Sequence, residues 1–332
     1  MSANKNQTMA VTKTKQPLAE VIKNGNVLMI LLVAVVLVIL SVLIPQFMTV
    51  QNIFNLLVQA SSIGLPAIGL TFIIITAGID LSLPTTMAVS AILGCAVMAK
   101  TQNVFLGVAC IMGIAMLVGA INGLSVSRLK MIPMIVTLAV STVNTGVADF
   151  YTQGKSVSGL PPAFSKIFAG SIGNVLPISV VVFLLVAFLM HQLLAKTIFG
   201  RQLFQTGVNE KAAQVNGVNT TRILFLIYFI GGCMAGINGV LTAARLNSAG
   251  PSMGPQSAFN NIVCSCVLGG ASVWGGKGTI FGTVVGSVVM AIITNVMNLM
   301  NVDFFATYVV RGIVIIIVCY LDVLRNTVKE RK

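Results

Sequence analysis

Apolar stretches long enough to cross a lipid bilayer follow one another along this chain, and nearly all of its charge sits in the gaps between them. A helix rises about 1.5 Å per residue, so about 20 apolar residues cross a hydrocarbon core about 30 Å thick. Lipid offers backbone N–H and C=O groups no partner, which limits spanning segments to helices and closed barrels. The stretches here lack the period-two alternation of barrel strands and therefore read as helices. Of 332 residues, 56% are hydrophobic and 8% charged, where a soluble domain carries about 25% charged residues. The fold class that follows is an all-α polytopic membrane protein with about ten transmembrane helices, some of them broken or short.

Spans are expected near Val27 to Ile44, Ile53 to Ala77, Pro84 to Ala99, Val104 to Ile121 and Met134 to Phe150. They continue near Leu176 to Leu194, Ile223 to Ala243, Ala258 to Leu268, Thr279 to Met297 and Tyr308 to Leu324. Lys5, Lys13, Lys15 and Lys23 precede the first span, Arg128 and Lys130 occupy a short gap, and Lys196, Arg201, Lys211 and Arg222 occupy or flank a long one. Arg325, Lys329, Arg331 and Lys332 follow the last span. The positive-inside rule assigns all of these to the cytoplasm, and an even number of spans agrees with it. Residues 1–26 and 325–332 then read as cytoplasmic tails, 27–324 as the transmembrane domain, and 195–222 as its long cytoplasmic loop. A net charge of +13 would suggest nucleic acid in a soluble protein. Placed beside the spans, it implies lipid as partner and no nucleic acid.

Catalytic constellations are missing from the pattern. All six cysteines lie inside apolar blocks, without disulfide or metal-ligand spacing, and read as small helix-packing residues. The single histidine, His191, closes a span, and seven acidic residues are scattered over the whole length. The first block ends in Pro45-Gln-Phe-Met48 without a small-residue cleavage site, so it reads as a span rather than a signal peptide. Gly269-Gly-Ala-Ser-Val-Trp-Gly-Gly-Lys-Gly278 resembles a phosphate-binding loop only superficially. Ala271 stands where the first glycine of that loop belongs, and Gly278 replaces the hydroxyl residue after the lysine. Trp274 and Lys277 fit a turn at the membrane interface instead. No enzyme activity and no bound cofactor are expected of the chain itself.

The informative residues are the impurities. Asp80 lies in Thr76-Ala-Gly-Ile-Asp-Leu-Ser-Leu-Pro84, a break bracketed by Gly78 and Pro84 between two apolar blocks. A carboxyl at membrane depth is costly, so Asp80 reads either as a gate or path residue or, with Ser82, as a cap on the following helix, whose first turn holds Pro84. Ser61, Ser62 and Pro66 interrupt the span before it, and the short block from Ala258 to Leu268 contains Asn260, Asn261 and Ser265. Such breaks are tolerated only where protein or a wet cavity satisfies the freed backbone. Glycines at spacing four, Gly119 with Gly123 and Gly282 with Gly286, predict close helix packing. In the 195–222 gap, Glu210 to Gln214 reads as a short helix, too short to hold itself in water and therefore docked; Ala212, Ala213 and Val215 offer it a compact surface for a partner's groove.

Six ordered motifs then carry a family resemblance: Thr71-Phe-Ile-Ile-Ile-Thr-Ala-Gly-Ile-Asp-Leu-Ser82, Gly119-Ala-Ile-Asn-Gly123, Ile132-Pro-Met-Ile-Val-Thr-Leu138, Phe199-Gly-Arg201, Gly207-Val-Asn-Glu-Lys-Ala-Ala213 and the 269–278 loop. From about Asn52 to Asp322 the chain resembles ribose-type ABC importer permeases. The resemblance implies a multi-pass subunit of the bacterial cytoplasmic membrane, paired with a second permease as homodimer or heterodimer. It also implies a cytoplasmic ABC ATPase that uses the ATP and an extracytoplasmic solute-binding protein. Phe199, Gly200, Arg201, Gly207, Asn209, Glu210, Ala212 and Ala213 would then form the ATPase-coupling segment, while Asp80, Ser82, Asn122, Thr137, Asn260 and Asn261 would line the translocation path or its gate. Three departures bear on the solute: Leu83-Pro-Thr85 replaces the usual Val-Gly-Ser, Ala258-Phe-Asn260 replaces Glu-Leu-Asp, and Thr145 stands where Arg is frequent. The implied solute is a small polyhydroxylated compound, a pentose, a hexose or a furanone-type signal such as autoinducer-2, moved by alternating access. The alternative is an ion-gradient-driven secondary transporter, which needs buried carboxylates, and Asp80 and Asp149 are the candidates for that role.

Overall fold

The computed structural model describes residues 44–173 and 176–303, with isolated positions among 37–42 and 306–316. The expected first and last spans and both tails fall largely or wholly outside the described residues. Between them, eight expected spans correspond to eight helices. These are α1 (Val50–Ile75), α2 (Leu83–Thr101), α3 (Val104–Ser127), α4 (Pro133–Thr152), α6 (Ile178–Lys196), α9 (Thr220–Leu246), α10 (Gln256–Leu268) and α11 (Ile280–Leu299). Seven of the described helices are long and apolar enough to cross a membrane, and α10, at 13 residues, is the short one. Between α4 and α6 lie α5 (Pro162–Phe168) and a two-residue antiparallel ribbon, β1 (Ser171–Ile172) with β2 (Leu176–Pro177). Neither has a hydrophobic period that a sequence would display.

Local chemistry fixes the helix ends. Thr49, Asn103, Asn219 and Thr279 precede α1, α3, α9 and α11 and accept a hydrogen bond from a backbone N–H of the first turn. Pro133 opens α4, where its missing N–H costs nothing. Helix α1 is the hub: every residue from Gly64 to Ile75 is buried, and it touches α6, α9, α10 and α11. A helix apolar on all sides belongs inside a bundle. Helices α3, α4 and α6 bury only one side, leaving such residues as Leu117, Val143 and Leu184 exposed for lipid or a protein neighbour.

Backbones meet where the glycines lie. A Cβ at Gly232 would strike the carbonyl of Ala115, and one at Gly119 would stand 2.7 Å from the carbonyl of Tyr228, so α3 and α9 touch along their main chains. Gly269 and Gly282, and Gly286 with Ser265, do the same for α10 and α11. Small residues at this spacing let helices approach closely without any hydrophobic force between them. Buried polar pairs lock the register: Asn52 and Asn295 exchange amide hydrogen bonds of 3.0 and 2.7 Å, and the Thr71 and Thr283 hydroxyls lie 2.6 Å apart. Cys95, Cys110 and Cys233 are free thiols, and Cys266 donates to the Ala67 carbonyl at 3.2 Å.

The 195–222 region differs from its expected form. It is two helices, α7 (Ile198–Val208) and α8 (Glu210–Val215), and residues from Thr220 onward already belong to α9. Thr197 caps α7 and Asn209 caps α8, each through its side-chain oxygen. The buried face of α7 is formed by Gly200, Leu203 and Thr206, of which only Leu203 is a large apolar residue; the half-buried Phe199 and Phe204 flank it, Phe199 lying 6.3 Å from Phe72 between ring centroids.

Substituting Gly232 by valine is expected to lower stability by about 1–3 kcal/mol or more through overpacking against α3. Gly113→Ala, on the same helix pair but with open space around it, should leave thermal unfolding in detergent unchanged or slightly improved. Equal melting shifts for the two variants would contradict the main-chain contact.

Candidate functional site

Between α1 and α2 the chain leaves helical geometry for seven residues, and several of the polar groups freed there find partners from neighbouring elements. Ala77 takes a left-handed conformation at φ 57°. Gly78 follows at a place where a Cβ would stand 2.9 Å from the Tyr228 hydroxyl. The Ile75 carbonyl accepts from Gly276 N at 2.8 Å. Thr137, on α4, bridges the break: its Oγ1 accepts from Leu81 N at 3.2 Å and lies within donating distance of the Ile79 carbonyl at 3.3 Å.

Asp80 is 1% exposed, and among the described residues no cation pairs with it. Three donors surround its carboxyl group instead. Ser82 N and Ser82 Oγ donate to Oδ1 at 2.9 and 2.6 Å, and Asn122 Nδ2 reaches Oδ2 at 3.4 Å and Ser82 Oγ at 2.8 Å. The network continues through Thr86, which reaches Ser82 Oγ at 3.5 Å, to Asn144 at 3.1 Å, and through Thr85 to Ser141 at 3.2 Å. Asp80, Ser82, Asn122 and Thr137, named from sequence as separate path candidates, are therefore one buried assembly joining α2, α3 and α4. The capping alternative needs correction. Ser82 is the residue before α2, yet its side chain makes no capping bond, because its hydroxyl is turned to Asp80. Asp80 fixes the backbone of the break and leaves the first turn of α2 to Pro84.

On the other side of the same turn of α2 lies a cavity of about 170 Å³ between α1, α2, α9 and α10. Pro66 lies on its wall. Proline has no N–H for the carbonyl four residues earlier, which here is Ser62, and Asn238 Nδ2 supplies the missing donor at 3.0 Å. That bond turns Asn238 toward the cavity, and its Oδ1 is buried without a partner. The Oδ1 of Asn261 is buried and unpartnered as well. Thr242 and Arg245 complete the polar lining, with Met87 and Met253 as apolar walls. An unmade hydrogen bond on a buried acceptor costs about 1–3 kcal/mol, so two of them around one cavity mark a place for a donor-rich guest or water.

Sequence reasoning found Asn261 but missed Asn238, Thr242 and Arg245. Asn238 carried a signal, since it stands before Gly239 inside an apolar block as Asn122 stands before Gly123. Asn260 is exposed and does not line the cavity. Among the described residues no cluster of three His, Cys, Asp or Glu side chains is placed to hold a metal ion.

The coupling candidates divide by exposure. Gly200 and Ala213 are buried in their own chain, and Phe199 is half-buried against Phe72. The expected partner-facing surface of Ala212, Ala213 and Val215 is therefore corrected: Ala213 turns inward, while Ala212 and Val215 stay exposed, Val215 at 89%. Arg201, Asn209 and Val208 are exposed too. Glu210 accepts from Lys130 Nζ at 2.9 Å and from Thr220 Oγ1 at 3.3 Å, tying α8 to the α3–α4 turn and the start of α9. Gly207 sits against the Ile75 carbonyl and Gly276, where no side chain fits. The end of α7 therefore bears directly on the last residue before the break.

Residues 52–319 match a family model described as "Branched-chain amino acid transport system / permease component". The chain is 37% identical to "Ribose import permease protein RbsC" of Bacillus subtilis, over 87% of this chain and 89% of that protein. It is 31% identical to the protein of the same name from Escherichia coli K12, covering 87% and 90%. It is 32% identical to "L-arabinose transport system permease protein AraH" of Escherichia coli K12, covering 91% and 92%. No solved structure matches the chain.

Replacing Asp80 by alanine strips two buried donors of Ser82 of their acceptor, at about 1–3 kcal/mol each. Thermal unfolding in detergent should fall accordingly. Asp80→Asn keeps one acceptor oxygen and should lose clearly less. If the two variants unfold alike, Asp80 does not hold the break through hydrogen bonds.

Proposed function

The chain belongs to the permease-component family of the branched-chain amino acid transport type, together with ribose-type sugar permeases, and on that premise we propose that it is the membrane subunit of a binding-protein-dependent ABC importer for a small polyhydroxylated solute. The observation that carries this reading is the cavity beside Pro66, where the amide oxygens of Asn238 and Asn261 are buried without partners. Sugar hydroxyls are the donors such acceptors lack, and the apolar walls suit the C–H faces of a sugar ring. The relatives named for ribose and arabinose support a pentose first; a hexose and a furanone-type signal such as autoinducer-2 are the other members of this solute class.

In this reading the energy comes from a cytoplasmic ATPase that docks on α7 and α8, since the chain offers no phosphate-binding loop of its own. The exposed Val208, Ala212 and Val215 and the cations Arg201 and Lys211 form the docking surface. Movement of α7 is passed through Gly207 to Ile75 and the 269–278 loop, and from there to the Asp80 break. Tilting of α2 against α9 and α10 then opens and closes the cavity on alternate sides. A second copy or a sister permease completes the path, and an extracytoplasmic binding protein delivers the solute opposite the ATPase. Both termini lie in the cytoplasm by the charge rule. The carboxyl of Asp80 is committed to Ser82 and Asn122, which weighs against ion-gradient-driven transport.

Vesicles carrying the complete transporter should take up labelled pentose only with ATP and binding protein. Asn238→Leu and Asn261→Leu should each reduce uptake about tenfold or more, as the loss of one buried hydrogen bond predicts, with the subunits still co-purifying. Gly207→Val should leave solute binding to the binding protein intact and abolish its stimulation of ATP hydrolysis. Uptake that persists without the ATPase and fails when the proton gradient is collapsed would sink the assignment.

A further inference from the structure

A second polar site lies far from the cavity, in a groove of about 270 Å³ where α3 ends and α9 begins. Arg128 closes α3, Arg222 stands in the first turn of α9, and both line the groove. Among the described residues neither forms an ion pair; the one salt bridge there joins Lys130 to Glu210. The groove also meets the N-terminal turn of α9, a 27-residue helix whose positive dipole end favours anions. Ser127, 1% exposed, borders the groove, and its hydroxyl has no hydrogen-bond partner. Apolar walls from Leu124 and Phe225 run from this polar end along α3 and α9. On the other side of α9 a groove of about 450 Å³ shares Arg222 and is lined by Leu193, Leu226 and Ile230.

Two unpaired guanidinium groups, a helix N-terminus and a free hydroxyl ask for a phosphate, because Arg matches phosphate geometry with paired N–H donors. The adjoining apolar grooves ask for acyl chain. Basic pockets at the ends of transmembrane helices recognise anionic lipid headgroups in this way. We propose that the α3–α9 groove binds one anionic glycerophospholipid, its phosphate between Arg128 and Arg222 and its tails along α9. The lipid would join the α3–α9 pair to the segment that carries α8, since Lys130 and Thr220 both hold Glu210.

The full-length chain, purified in mild detergent, would be mixed with phosphatidylglycerol or phosphatidylcholine and examined by native mass spectrometry. Phosphatidylglycerol should remain bound and phosphatidylcholine should not. The R128Q/R222Q double variant should retain about tenfold less phosphatidylglycerol or below, as expected when two cations beside a phosphate are lost. The R128K/R222K variant, which keeps the charge but loses the paired N–H donors, should retain an intermediate amount, and K155Q/K166Q, which removes two distant cations, should retain it in full; an unchanged melting temperature of the glutamine variant in detergent separates lost binding from unfolding. Equal retention by the double glutamine variant overturns the proposal. If inorganic phosphate alone displaces the lipid, the occupant is a soluble phosphate and the lipid assignment falls. Equal retention together with weakened ATPase binding would assign the two arginines to a protein carboxylate instead.

Discussion

Every departure from helix in this bundle is governed by one constraint: a backbone group freed at membrane depth has no water to turn to and needs a partner from the protein. Two departures shape the interior. At Pro66 the orphaned Ser62 carbonyl is answered by Asn238. At the 76–82 break, Thr137, Asp80 and Gly276 answer the exposed main chain from α4, from within the break and from the 269–278 loop. The residues that repair the backbone are the ones that define the cavity and the network beside it. Asp80 is one of these repair residues, holding the backbone of the break through Ser82 rather than capping α2.

The same constraint explains how two ends of the molecule are joined. The 269–278 loop is held by Gly275 and Gly276 in left-handed backbone conformations, φ 85° and 70°, which glycine adopts without steric cost. That shape brings Gly276 N to the Ile75 carbonyl with Gly207 alongside. The loop that imitates a nucleotide-binding motif in sequence is thus a structural clasp. Its tryptophan, 79% exposed, faces outward and takes no part in the clasp.

Apolar length made the spans legible, and the eight that fall among the described residues lie within a few residues of their expected places. Asp80 and Ser82 were legible because they stand in a break between two apolar blocks, whereas Asn122 and Thr137 entered through the motifs that carry the family resemblance. Their assembly was not legible, since it depends on how α2, α3 and α4 cross. Asn238 and Arg245 were passed over for a different reason: Asn238 sits in a run of glycines that reads as packing, and Arg245 near a helix end reads as a surface cation. Helix α7 was hidden because its buried face carries Gly200 and Thr206 beside Leu203, residues that do not read as an apolar stripe. Tertiary contact decided each of these.

The main-chain seam between α3 and α9 carries a kinematic consequence. Helices that touch through glycines have no side-chain cushion to deform, so they turn as one stiff lever about whatever pivot is available. Arg128 and Arg222 ride at the foot of that lever, and Asn122 and Asn238 sit farther along it on opposite sides of α2. A small rotation at the foot would reach the Asp80 network through Asn122 and the cavity through Asn238. The two sites are thereby geared to each other through α2, and they need no flexible linker to change together.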